Sequence, residues 1–139
     1  MREARTRDER VKRGDLAGAV GDAQVLAAGV EEIAGRVAHV HAALAAATGA
    51  RDRVLARGAP SAMSATIAHL DRYLRRLRRD LDGVRGELVR AEARSRGQLE
   101  VVDVARGRLR LARAEREVIE RHFAAWRAER RKLAERRED

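Results

Sequence analysis

From Ile67 onward, apolar residues recur at alternating steps of three and four: Ile67, Leu70, Leu74, Leu77, Leu81, Val84, Leu88, Ala91, Ser95, Gln98, Val102, Ala105, Leu109, Ala112, Arg116, Ile119, Phe123, Trp126, Arg130 and Leu133. Sixteen of these twenty positions are apolar, and the frame never slips. A 3.5-residue repeat sustained this long specifies a left-handed coiled coil. Upstream, the same stepping selects Leu16, Ala19, Ala23, Leu26, Val30, Ile33, Val37, Val40, Leu44, Ala47, Arg51 and Val54, eleven of twelve apolar. Between the two runs lies Arg57-Gly58-Ala59-Pro60-Ser61, with the chain's only proline. Glycine just past a helix and proline in the first turn of the next is the usual stop-and-restart asymmetry. The pattern therefore predicts an all-α fold, a long antiparallel two-helix coiled-coil hairpin: helix 1 over about 7–57, a turn at 58–60 and helix 2 over about 61–137. Helix 2 would be roughly 115 Å long at about 1.5 Å per residue.

Folding back at the turn sets Leu44 against Leu77, Val37 against Val84 and Ile33 against Leu88. The leucine-rich half near the turn is expected to be the firm one. Further out, Ser95 and Gln98 occupy core positions opposite Ala19, Ala23, Ala27 and Gly29. Helix 1 also carries Gly14, Gly18, Gly21 and Gly35, each costing about 1 kcal/mol against alanine in a helix interior. Its start is expected near Thr6, where Thr6-x-x-Glu9 reads as a capping box, or near Asp15 if the glycines fray it. Leu16 should sit beside Ala105, leaving residues beyond about 115 with little or no helix 1 next to them. Closure within one chain and helix exchange between two chains both fit this pattern.

Composition narrows the class. Charged residues make up 38% of the 139-residue chain and aromatics 2%, so the core must be a thin aliphatic seam. Thirty-one basic residues against 22 acidic ones give a net charge of +9, which attracts nucleic acid, anionic membranes or acidic proteins alike. There is no cysteine, so disulfide and thiol chemistry are excluded. The first ten residues carry charges of both signs, unlike a secretory signal. The longest uncharged stretch, 37–50, has 14 residues, short of the roughly 20 that span a bilayer. A soluble, cytoplasmic protein is expected.

Two segments carry candidate chemistry. Ile119, Phe123, Trp126 and Leu133 share one helical face beyond the expected reach of helix 1, amid Arg127, Arg130 and Arg131. Exposed apolar stripes mark binding surfaces, and Trp and Arg are favoured anchors; cover by self-association or by the start of helix 1 is the rival reading. Near the turn, Arg72, Arg75, Arg76 and Arg79 gather around Tyr73 opposite the Leu74/Leu77 seam. Like charges at i,i+4 disfavour a helix slightly, a cost that an acidic partner could offset, although a merely solvated face reads the same. His39, His41, His69 and His122 form no metal-ligand spacing, and no phosphate loop or nucleophile elbow occurs. A catalytic pocket needs concavity that a two-helix rod lacks. No enzyme activity, cofactor, metal or small-molecule substrate is expected.

The two long helices, the turn after about sixty residues and the basic heptad-rich second helix resemble the FliJ/YscO family of type III secretion stalk proteins. Glu120-Arg121-His122-Phe123-Ala124-Ala125-Trp126-Arg127-Ala128-Glu129-Arg130 is similar to the carboxy-terminal part of the injectisome members. The resemblance implies a non-enzymatic stalk similar to the rotor of F-type ATPases, working on the cytoplasmic side of the inner membrane through the secretion apparatus. Its partners would be a hexameric secretion ATPase and a membrane export-gate protein. Carried onto this chain, Ile119, Phe123, Trp126, Arg127, Arg130 and Arg131 would meet the ATPase. Arg72, Tyr73, Arg75, Arg76 and Arg79 would meet the gate. The glycine-rich first helix departs from the family pattern. Two alternatives stay open: a basic coiled coil that binds nucleic acid, disfavoured by interspersed acids and few stacking aromatics, and a self-assembling scaffold pairing Ile119, Phe123 and Trp126 between copies.

Overall fold

The computed structural model describes residues 2–58 and 61–138; Ala59 and Pro60 of the expected turn lie outside the described residues. Two helices account for the fold: α1, Arg2–Ala56, and α2, Ser61–Glu138. They pack against each other as a helical hairpin, with no strand among the described residues. Beyond the end of α1, the amides of Arg57 and Gly58 bond back three residues, to the carbonyls of Val54 and Leu55. Gly58 has φ of 77°. That left-handed conformation at the position after the helix is the common glycine stop, since a Cβ there would be strained.

The contacts group into two units, Met1–Gln24 with Gly97–Asp139, and Val25–Arg96. In the second unit, Ala47, Leu74 and Leu77 form a buried cluster with Val40, Ala43 and Leu44 packed on it. Leu44 thus meets the Leu77 neighbourhood as the heptad pattern predicts. Leu81 and Val84 continue the buried row. Burying such side chains contributes about 1.5–3 kcal/mol each. Ion pairs flank the seam: Arg51 donates to Asp71 at 2.6 Å and Arg36 to Glu87 at 2.8 Å. Partners advance along α2 as they retreat along α1, which is the antiparallel arrangement.

The first unit is built from smaller side chains. Ala19, Val102 and Ala105 are its buried cluster, with Leu16, Val20 and Ala23 against it. Gln98, polar at a core position, donates from Nε2 to the carbonyl oxygen of Ala19 at 3.1 Å and so is satisfied where it stands. Helix 1 begins earlier than the expected residue 7 or Asp15: α1 is helical from Arg2 and continuous through Gly14, Gly18, Gly21 and Gly35. The reason lies in charge. Arg5 is ion-paired with Glu115, and Glu9 with Arg113 and Arg116, so the first three turns are tied to α2. Glu3 in the first turn also favours the helix dipole.

Candidate partner-binding surface

Along α2 the core positions are buried or half-buried from Ile67 to Ile119, and exposed at Phe123, Trp126, Arg130 and Leu133. The change falls where α1 begins. Arg5 and Glu9 stand beside residues 113–116, and every residue from 121 to 137 is exposed. Because α1 reaches back to Arg2, cover ends near 120 rather than the expected 115. The heptad pattern, carried on through residues 121–137, builds a ridge there that none of the described residues covers.

The ridge has a definite local chemistry. Phe123 and Trp126 are 45% and 51% exposed, and their ring centroids lie 5.5 Å apart with a 35° tilt. The helical i,i+4 spacing brings the Arg127 guanidinium over the Phe123 ring at 5.1 Å and that of Arg130 over Trp126 at 5.2 Å. Such cation–π contacts hold arginines alongside aromatic faces while leaving N–H donors free. Among the described residues no carboxylate pairs with Arg127, Arg130 or Arg131. Arginines pinned beside a hydrophobic ridge, with unmatched charge, suit a partner offering an apolar slot rimmed by acids. Ile119, the other member of this candidate set, is half-buried at the base of the ridge.

The second candidate set is exposed throughout. Arg72, Tyr73, Arg75, Arg76 and Arg79 alternate with the buried Leu74 and Leu77. Arg76 lies 3.8 Å from Asp80, a weak exposed pair. Arg79 turns instead toward an open groove of about 700 Å³, walled also by Arg36, His39, Gly83 and Glu87. The heptad reading expected no concavity on a two-helix rod. Gly35 and Gly83 line it, and a Cβ at either would meet open space. His39 lines it, and no group of three or more potential metal ligands occurs among the described residues.

A polar constellation was not anticipated. Glu9 is 3% exposed and is the one buried charged residue among those described. Arg13 donates to it at 2.9 Å and Arg116 at 2.6 Å, and Arg113 lies 3.4 Å away. Arg116 Nε makes no hydrogen bond and rests 3.6 Å from Glu120, an ionic contact only. The signal was present in the sequence. Stepping upstream from Leu16 in the same frame gives Lys12, Glu9 and Arg5, charged core positions opposite the charged core position Arg116.

Comparison of the chain with protein-family models, with curated proteins and with solved structures finds no match. Among the described residues, no helix is long and apolar enough to cross a membrane.

Proposed function

We propose that this chain is a non-enzymatic coiled-coil stalk of a type III secretion system, linking the hexameric secretion ATPase to the export gate. The observation that carries the reading is the ridge of Phe123 and Trp126 with Arg127 and Arg130 stacked on their rings, exposed where α2 has no helix beside it. A helix end of this kind can enter a ring whose inner loops are acidic and apolar. Its aromatic faces would seat against side chains, while its arginines exchange water for carboxylates. Ile119 and Arg131 belong to the same surface. The Tyr73 cluster, with Arg72, Arg75, Arg76 and Arg79, is the proposed contact for the gate. The similarity of residues 120–130 to injectisome stalks supplies the particular system.

The test is ATP turnover by the purified secretion ATPase with the chain added. Arg127→Glu/Arg130→Glu/Arg131→Glu should abolish stimulation at unchanged helicity. Full stimulation by that variant would remove the ridge from the interface. Tight, salt-sensitive binding of the chain to duplex DNA, lost in the same variant, would favour the nucleic-acid alternative instead.

A further inference from the structure

A second heptad stripe runs along α2, about 100° round the helix from the seam. Each of its members precedes a seam residue by one position: Val101, Val104, Arg108, Leu111, Glu115 and Val118. Its four aliphatic members are each more than half exposed. Beside them run two shallow grooves in the same unit, bordered on the α1 side by Asp15 in one and by Asp8 and Lys12 in the other. Isolated exposed valines need no explanation, but a heptad row of them beside a groove is the shape a further helix packs into.

We infer that this stripe is the contact between two copies of the chain, paired antiparallel through α2 about a two-fold axis at Leu111. The charges name the occupant. Read outward from Leu111, the stripe meets Arg108 on one side and Glu115 on the other, then Val104 and Val118, then Val101 and His122. Reversing a second copy therefore sets Leu111 on Leu111, Val104 on Val118 and Arg108 on Glu115, each unlike pair occurring twice. A two-fold contact must be self-complementary in this way. A parallel pairing would place Arg108 on Arg108 and Glu115 on Glu115, and like charges in register oppose association. Arg108 has no ion-pair partner among the described residues, and Glu115 engages Arg5 through one carboxylate oxygen, leaving the other available. The inference does not rest on the stalk reading. The stripe lies on a different face from Phe123 and Trp126.

Sedimentation equilibrium of the full chain over a wide concentration range tests it, with circular dichroism following helicity. A reversible monomer–dimer equilibrium is expected. Leu111→Glu should weaken it about thirtyfold or more, the scale of a central interface residue, at unchanged helicity. Arg108→Glu alone should weaken it too, and adding Glu115→Arg should restore it. Because the chain has no cysteine, Leu111→Cys should form a disulfide-linked dimer on mild oxidation. Val101→Cys should not, since its two copies would stand about 30 Å apart at about 1.5 Å per residue. A chain monomeric at all concentrations would overturn the inference. Equal cross-linking through both cysteine variants would overturn it as well, as would a dimer lost in Phe123→Ala/Trp126→Ala but kept in Leu111→Glu.

Discussion

Arg116 donates to Glu9 at 2.6 Å, within the last stretch over which α1 covers α2. Both residues sit on the heptad frame where aliphatic side chains stand elsewhere. The carboxylate is buried, while the guanidinium of Arg116 is one-third exposed. A charged pair in a seam contributes little net stability against an aliphatic pair of the same size, but it is costly to break on one side only. Its value lies in register. A slip of one heptad would set Leu109 or Phe123 in place of Arg116 opposite Glu9, so the pair favours the register that places the exposed part of α2.

Glu9→Ala should accordingly destabilise the protein by about 1–3 kcal/mol, below the full cost of a buried pair because the arginines retain water. Glu9→Leu combined with Arg116→Leu should recover most of that loss. Urea unfolding of the unmutated chain, Glu9→Leu, Arg116→Leu and the double variant closes the double-mutant cycle that measures it, with Glu9→Ala unfolded alongside. An additive outcome would mean that the two side chains are not coupled.

The glycines give predictions of opposite sign. At Gly18 and Gly35 an added Cβ would meet open space in the middle of α1. Gly18→Ala and Gly35→Ala should each stabilise the chain by about 0.5–1 kcal/mol. Gly58→Ala should destabilise it by about 1 kcal/mol, because φ there is 77°. Thermal unfolding followed by circular dichroism decides both. A loss of stability in Gly35→Ala would place a neighbour in the space that stands open.

Stability and binding should separate along α2. Leu77 is 7% exposed in the Ala47–Leu74 cluster, and Leu77→Ala should cost about 2–4 kcal/mol. Phe123→Ala and Trp126→Ala remove half-exposed rings and should change stability by no more than about 0.5 kcal/mol. Denaturant titrations compare them. A large destabilisation by Trp126→Ala would give the ridge a folding role.

What could be read from the sequence, and what could not, divides along a physical line. The seam was legible because apolar periodicity reports the face that leaves water: Leu74, Leu77, Leu81 and Val84 are buried where the repeat puts them. The bareness of Phe123 and Trp126 followed from counting residues on either side of the turn. The start of α1 did not follow. An apolar count discards charged positions, and Glu9, Arg113 and Arg116 hold that end through ion pairs whose partners lie more than a hundred residues apart in sequence. The Arg130 stacking on Trp126 could be placed on one helical face from spacing, but the ring-to-guanidinium geometry needed coordinates. The glycines argued for fraying by propensity alone, yet packing against α2 keeps α1 continuous through them.

Trp126 is the only tryptophan of the chain, which makes the central claim directly measurable. Labelled with 5-fluorotryptophan, the chain should show a single fluorine resonance. Titration with the unlabelled secretion ATPase hexamer should broaden and shift that resonance, saturating at a fixed ratio of chain to ring. The same titration with Arg127→Glu/Arg130→Glu/Arg131→Glu should leave it at the free position. A resonance unmoved by saturating hexamer in the unmutated chain would contradict the account.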